Sequence, residues 1–192
     1  MQPAHPTPEQ AITATRRWLE RAVIGLNLCP FAKAVQVKDQ VRYVVSTADS
    51  APELLEQLAE ELRRLQASDP ADVETTLLIH PQALPEFTDY LWFIELGDAV
   101  LEQLGLVGEL QIAHFHPQFR FEGSRADDIA NYTNRSPYPI LHLLRESSID
   151  RAVAAFPDAA AIYERNIDTL RRLGLAGWRQ LWTDDQAPTP IP

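Results

Sequence analysis

Side chains that could do chemistry are concentrated in the stretch NYTNRSPYPILHLLRE, which covers residues 131–146. Arg135 offers a planar guanidinium fork that suits a carboxylate or a phosphate. Asn131 and Asn134 can each donate and accept hydrogen bonds, and Tyr138 adds a phenol close by. These residues predict one wall of a pocket for a small anionic molecule. The alternative explanation is a rigid turn built from prolines and asparagines.

The end of this stretch, HLLRE, carries a candidate group for proton transfer. If Pro139 begins a helix, His142, Arg145 and Glu146 share one helical face at spacings of three and four residues. Glu146 would then orient the His142 ring, as carboxylates do at catalytic histidines, and Arg145 would help to hold the anion. The competing interpretation is a solvated helix face with a weak salt bridge.

A second cluster, HFHPQFRFEG, begins with two histidines at the end of a predicted strand. His114 and His116 are two residues apart, so both side chains point to the same face of the sheet. The pair could bind a metal ion, or His116 could act as an acid or base near neutral pH. Arg120 is a further candidate for holding the anion. In the alternative interpretation, His114 is a hydrogen-bonded sheet residue and His116 belongs to a loop.

The single cysteine lies in a third cluster, LNLCPFAK, and a single cysteine excludes an intrachain disulfide. Cys29 precedes Pro30 at a point where one helix ends and another can begin. A thiol at a helix N-terminus has a lowered pKa, and Lys33 would lower it further, so Cys29 is a candidate nucleophile. Alternatively, Cys29 is a small buried hydrophobe. Cys-Pro pairs also occur at haem contacts, which leaves a haem protein as a further hypothesis.

Helices and strands alternate along the first 115 residues. A capping box of Thr7 and Gln10 predicts a first helix to about Leu28. Strands are predicted over residues 41–46, 75–80 and 109–115. A leucine repeat over residues 54–65 and an apolar stripe over residues 84–104 predict the helices between them.

This alternation predicts a single α/β domain with a small, mostly parallel sheet of three or four strands. An α+β arrangement with an antiparallel pair is the alternative. In a parallel sheet, ligands bind beyond the carboxyl ends of the strands, where His80 and His116 lie. The domain is expected to span residues 7–182, between flexible tails at residues 1–6 and 183–192.

The rest of the chain is predicted to form one long loop followed by helices. Residues 117–139 show no period, and loops of this length tend to be functional. Helices are predicted from Pro139, from Ser148 to Phe156, and from an Asp158 cap to Leu173, where Gly174 stops the last one.

Composition restricts the class of partner. The 192 residues are 45% hydrophobic and 23% charged, with a formal net charge of −10. Nucleic acid and anionic membranes both attract basic surfaces, so neither is an expected partner. The N-terminal sequence has no charged and apolar segments typical of a signal peptide, and no apolar run reaches the roughly 20 residues of a membrane span. A cytoplasmic protein is therefore expected.

Four long motifs together resemble an uncharacterised bacterial family, number fourteen-fifteen in the series of domains of unknown function. They are GLNLCPFAKAV, FHPQFRFEG, DDIANYTNRSPYPILHLLRE and AIYERNIDTLRRLG, and the resemblance covers about residues 10–175. It implies a complete bacterial, cytoplasmic domain and brings no catalytic residue with it. The family pattern is best matched at Phe115, His116 and Pro117, and His114 is less central, which weakens the metal hypothesis.

Three functions remain open at this point. The first is an enzyme that acts on a small carboxylate or phosphate, with His116, His142, Glu146 or Cys29 as acid, base or nucleophile. The second is a non-catalytic ligand-binding or scaffold module. The third is a metal or haem protein that uses Cys29 and the histidines. The chain has no phosphate-binding glycine loop, zinc ribbon, dinucleotide fingerprint or serine nucleophile elbow.

Overall fold

The computed structural model describes residues 5–155 and 161–183, and these contain six α-helices and four β-strands. In chain order the elements are α1 (Pro8–Trp18), a π-helical turn (Leu19–Ile24), α2 (Ala32–Val37), β1 (Val41–Val45), α3 (Ala51–Ala67), β2 (Thr75–Ile79), α4 (Phe87–Leu104), β3 (Leu110–Phe115), a 3-10 turn (Ile129–Thr133), β4 (Ile140–Arg145), α5 (Glu146–Ala155) and α6 (Ala161–Gln180).

The predicted start of the first helix is confirmed. The Thr7 hydroxyl accepts a hydrogen bond from the Gln10 N–H at 3.3 Å, and Gln10 Oε1 accepts one from the Thr7 N–H at 2.9 Å. The three predicted strands are also present, each within one residue of its expected bounds. Local capping and β-branched or apolar runs were therefore sufficient to locate these elements.

The sheet has the strand order β1-β2-β4-β3 and is mixed. The broad α/β class is confirmed, but the expectation of a mostly parallel sheet is wrong. Only β1 and β2 pair in parallel, and β4 is antiparallel to both of its neighbours. Strands β1, β2 and β3 do run in one direction, as crossover connections require. The difference arises because β4 enters between β2 and β3 in the opposite direction.

The helix expected from Pro139 is likewise wrong, because residues Ile140–Arg145 form the strand β4. Their apolar residues fit a helical stripe, but they also fit a central strand that is covered on both faces. Pairing with β2 on one side and β3 on the other decides between the two. His142, Arg145 and Glu146 therefore do not share a helical face.

Alternation of side chains gives the sheet two different faces. On face one, Leu78, Leu141 and Leu143 pack against α3 and α4, whose fully buried side chains include Leu58 and Phe93. On face two, Leu77, Ile79 and Ile140 pack with α1, the π-helical turn and α6. The sheet is thus a central layer between two groups of helices.

Gly174 interrupts α6 with a φ of 64° and a ψ of 172°, which confirms the predicted stop after Leu173, and helix resumes beyond it. The helix end expected at Phe156 and the cap expected at Asp158 lie outside the described residues, as do most of the two expected tails. Across residues 5–155 and 161–183, none of the helices is both long and apolar enough to cross a membrane.

Candidate functional site

The amide of Asn131 holds the long loop together. Asn131 is fully buried, and its Oδ1 accepts hydrogen bonds from the Phe121 N–H at 3.0 Å and the Ser124 hydroxyl at 2.9 Å. Its Nδ2 donates to the Arg125 carbonyl oxygen at 2.8 Å. These bonds occupy the side chain within the loop, so its observed role is to shape residues 117–139.

Asn134 and Tyr138 also face the protein. Asn134 Nδ2 donates to the His114 carbonyl oxygen at 3.2 Å, and its Oδ1 accepts from the Thr133 hydroxyl at 2.9 Å. Tyr138 packs against the apolar core on face two of the sheet. Both residues therefore join the loop to the sheet.

Three histidines surround Tyr90 at the edge where β2 and β3 end. The ring of Tyr90 lies 5.7 Å from that of His80, 6.2 Å from that of His114 and 5.0 Å from that of His116, measured between centroids. The Tyr90 hydroxyl donates to the Ile140 carbonyl oxygen at 2.8 Å. The expectation that His80 and His116 lie at one edge of the sheet is thus met.

Both ring nitrogens of His116 are bonded within the protein. The Gln118 N–H donates to Nδ1 at 3.0 Å, so Nδ1 is an acceptor and Nε2 carries the proton. Nε2 then donates to the Leu84 carbonyl oxygen, 3.2 Å away, and burial lowers the pKa of His116. His116 is a neutral imidazole that fixes the Leu84 backbone, which has a positive φ of 55°.

Arg145 is bonded to the C-terminal end of α3. Its Nη2 donates to the carbonyl oxygens of Leu65 at 2.7 Å, Ser68 at 2.8 Å and Val73 at 3.1 Å. A guanidinium placed there complements the negative end of the α3 dipole. Glu146 lies at the first position of α5, and its N–H donates to the Glu109 carbonyl oxygen.

His142 bonds to Thr75 instead of Glu146. The two side chains lie on face two, where Nε2 of His142 is 2.8 Å from the Thr75 hydroxyl oxygen. That hydroxyl donates to the Leu143 carbonyl oxygen at 2.6 Å, so it can only accept from the imidazole. His142 is therefore protonated on Nε2. Burial lowers its pKa to about 4, which keeps the ring neutral at pH 7.

This assignment leaves His142 Nδ1 as a hydrogen-bond acceptor with no partner among the described residues, beside a cavity of about 350 Å³ that we call the sheet cavity. The face-two residues of its floor are Val41, Thr75, Leu77, Gln111, Ala113, Phe115, His142 and Leu144. The residues of its walls, from the first 35 residues and from α5, are Trp18, Leu19, Val23, Cys29, Phe31, Ala32, Val35, Ser148, Ile149 and Ala152. Glu74 and Arg145 complete the lining, which is otherwise mainly apolar.

Cys29 is half-buried in the wall of the sheet cavity. The next helix, α2, begins at Ala32 with Phe31 as its cap residue, so Cys29 precedes that helix by three residues. Asn166 of α6 donates to the carbonyl oxygen of Leu28 at 2.8 Å and fixes this segment against the C-terminal helix.

The π-helical turn shapes the same wall. It follows α1 directly, and its residues Leu19 and Val23 line the sheet cavity. Beyond it, the N–H groups of Leu28 and Cys29 both bond to the Val23 carbonyl oxygen. π-Helical turns inside helices often occur at functional sites, and this one brings Cys29 onto face two of the sheet.

Arg135 lines a different cavity of about 710 Å³, which we call the outer cavity. Its other lining residues are Glu9, Gln10, Thr13, Ala14, Arg17, Trp18, Pro117, Tyr132, Ser136, Pro137, Trp178 and Trp182. The predicted site residues are therefore divided: Cys29 and His142 meet at the sheet cavity, whereas Arg135 lies at the outer cavity. Trp18 lines both, and Arg120 is exposed and lines neither.

Sequence reasoning missed Thr75, Phe115 and Trp18 as site residues. Thr75 sets the tautomer of His142, and the ring of Phe115 contacts those of His142 at 6.1 Å and Trp18 at 5.0 Å. A polar residue at the start of an otherwise apolar strand was a usable signal for Thr75. Phe115 and Trp18 had no such signal, because aromatic residues at those positions are normal in a core.

Among the residues that the structure describes, no three His, Cys, Asp or Glu side chains form a group that could hold a metal ion. His114 and His116 do face the same side of the sheet, as predicted, but Tyr90 packs against both rings. His114 Nδ1 is buried and bonds to nothing in the described chain.

Comparison with known proteins identifies the family. A family model described as "Protein of unknown function (DUF1415)" matches residues 10–180, which is most of the chain. No curated protein and no solved structure matches the sequence. The match includes nearly all of α1, the π-helical turn, the sheet and all of α6, so the sheet cavity is formed entirely by matched residues. The chain belongs to the DUF1415 family of proteins of unknown function.

Proposed function

We propose that the protein binds a small, uncharged, largely apolar molecule in the sheet cavity, and that His142 Nδ1 accepts a hydrogen bond from it. The observation that carries this proposal is the unpartnered acceptor beside an apolar cavity. A volume of about 350 Å³ falls within the usual range for small-molecule pockets.

The two charged residues that line the cavity, Glu74 and Arg145, are both paired with other groups, and this favours an uncharged ligand. Glu74 forms a salt bridge with Arg151 at 3.4 Å, and Arg145 is bonded to the end of α3. A neutral acceptor nitrogen attracts a hydroxyl or an N–H and repels a carboxylate. The anionic molecule expected from the sequence is therefore better suited to the outer cavity, where Arg135 lies.

A matched pair of probes tests the acceptor. p-Cresol and p-xylene have almost the same size and shape, but only p-cresol has a hydroxyl donor. We expect p-cresol to bind about 3- to 10-fold more tightly, because one neutral hydrogen bond contributes roughly 0.5–1.5 kcal/mol. Dissociation constants from NMR titration of the folded protein measure this ratio.

The variant His142→Gln provides the decisive comparison. A glutamine amide can still donate to the Thr75 hydroxyl but has no ring acceptor at the position of Nδ1. We expect the preference for p-cresol to disappear in this variant and to remain in His114→Gln, which alters the opposite face of the sheet. Equal binding of the two probes by the wild type, or binding of neither, would contradict the proposed function.

A second candidate is an enzyme with acid–base or nucleophilic chemistry, and its support is that Cys29 and His142 line one cavity. If His142 took the proton from the Cys29 thiol, the wild type would react with iodoacetamide faster than His142→Gln, since the thiolate is the reactive form. The proposal of binding alone predicts equal alkylation rates in the two proteins across pH 6–9. A rate that falls at least about tenfold in His142→Gln would favour the enzyme.

A further inference from the structure

Arg135 has unused hydrogen-bond donors in the outer cavity. Its Nε donates to the Phe119 carbonyl oxygen at 3.2 Å and its Nη2 to the Ala126 carbonyl oxygen at 2.7 Å. A guanidinium has five N–H donors, so three remain, including both on Nη1. No carboxylate pairs with Arg135 in the part of the chain that the structure describes.

A row of aromatic rings continues from this cation along the cavity wall. The Arg135 guanidinium carbon lies 4.3 Å from the centre of the Tyr132 ring. Tyr132 contacts Trp178 edge-on at 5.0 Å, and Trp178 contacts Trp182 in the same way at 5.5 Å. The stacking on Tyr132 and the two backbone bonds hold the guanidinium in place, so little side-chain entropy remains to be lost on binding.

The far end of the row is also fixed. Arg17 Nη2 donates to the Trp182 carbonyl oxygen at 2.8 Å, and Arg21 Nη1 donates to the Leu181 carbonyl oxygen at 2.6 Å. These bonds tie the turn that follows α6 to α1 and the π-helical turn. The outer cavity is therefore a preformed surface with Arg135 at one end and the half-exposed indole of Trp182, beside Arg17, at the other, and Glu9 also lines it.

We infer that the outer cavity is a second ligand site, which takes a planar aromatic ring bearing a carboxylate or a phosphate. The anion pairs with Arg135, which is suited to bidentate contact with such groups. The ring packs against Trp182 and Trp178. This inference does not depend on the sheet cavity, because Arg135, Trp178 and Trp182 do not line that cavity.

Four probes separate the contributions of charge and ring. Benzoate and phenyl phosphate have both features, benzyl alcohol has only the ring, and cyclohexanecarboxylate has only the charge. The wild type has four indole N–H signals in its NMR spectrum. Those of Trp178 and Trp182 report binding in the outer cavity. The signal of Trp92, which is exposed on α4 and lines neither cavity, is the internal control. We expect benzoate or phenyl phosphate to shift the Trp178 and Trp182 signals and to leave the Trp92 signal unchanged.

The expected affinity for the better aromatic anion exceeds that for benzyl alcohol by roughly tenfold to a hundredfold, the usual effect of a charged hydrogen bond. Whichever of benzoate and phenyl phosphate binds with the higher affinity identifies the anionic group that the site prefers. Absence of shifts at Trp178 and Trp182 with both anions, or equal affinity for benzyl alcohol, would overturn the inference without affecting the p-cresol result.

Variants then assign the charge to Arg135. We expect Arg135→Gln to weaken binding of the aromatic anion by at least about tenfold and Arg135→Lys to weaken it less, because lysine keeps the charge but loses the fork. The control Arg120→Gln removes an exposed arginine of the same loop that lines neither cavity, and it should bind as the wild type does. If folded Arg135→Gln binds as tightly as Arg120→Gln, the assignment to Arg135 is wrong.

Discussion

Acidification from pH 7 to about pH 4.5 should lower the free energy of unfolding by about 5 kcal/mol through His80 and His142 alone. Burial lowers the pKa of each from 6.5 to about 4 in the folded protein. Between these pH values the unfolded chain binds more protons than the folded one, so the free energy of unfolding decreases as the pH decreases. The contribution is complete above pH 6.5 and is lost as the pH falls towards 4.

The physical cause differs between the two rings. His80 Nδ1 donates to the Ala83 carbonyl oxygen at 3.0 Å, which makes Nε2 the protonation site, and Nε2 is buried without a partner among residues 5–155 and 161–183. His142 would take its second proton on Nδ1, beside the apolar sheet cavity. Charge in either place is poorly solvated.

Urea unfolding followed by circular dichroism at a series of pH values would measure the effect. The control is the double variant His80→Asn, His142→Gln, in which an amide N–H replaces each donating ring N–H and no imidazole remains. We expect the difference in stability between the wild type and this variant to shrink by about 5 kcal/mol over the acidic range. A difference that does not change with pH would contradict the prediction.

Replacement of Arg145 by methionine should destabilise the protein by about 4 kcal/mol. The guanidinium is buried and donates to the carbonyl oxygens of Leu65, Ser68 and Val73, and methionine would leave these acceptors without it. Each hydrogen bond to a charged group contributes roughly 1.5–3 kcal/mol, and the cation also complements the α3 dipole.

Arg145→Lys keeps the charge, but its Nζ ends one bond closer to the backbone than Nη2 and cannot reach all the α3 contacts, so we expect it to lose about half as much stability as Arg145→Met. The matched control is Arg151→Met, whose arginine is largely exposed and contacts Glu74 at 3.4 Å. An exposed salt bridge contributes less than about 1 kcal/mol. Chemical denaturation of the three variants measures these differences, and similar losses for Arg145→Met and Arg151→Met would show that the α3 contacts contribute little.

The elements that could be predicted were those whose signals are local. Thr7 and Gln10 form a capping box from adjacent residues, and Gly174 stops a helix through its own backbone freedom. Residues 140–145 carry no comparable local signal, since an apolar run beside Pro139 fits a helix or a central strand equally well. Their state depends on two partner strands that precede them in the chain.

The same distinction applies to the candidate site. Its residue types were recognisable, and Cys29 and His142 do line one cavity. The separation of Arg135 from them, the role of Thr75 and the tautomer of His142 depend on contacts between distant parts of the chain. Thr75 and His142, for example, are 67 residues apart. Sequence spacing contains no information on contacts of that range.

The position of β4 has a consequence for how the protein is made. The strand lies between β2 and β3 but is synthesised after both. When the ribosome has completed β3, neither β2 nor β3 has its β4 partner, so each offers a free hydrogen-bonding edge to other chains. Sheet completion must wait for residues 140–145 to emerge. The nascent chain should therefore aggregate most readily, and depend most on chaperones, between the synthesis of β3 and that of β4.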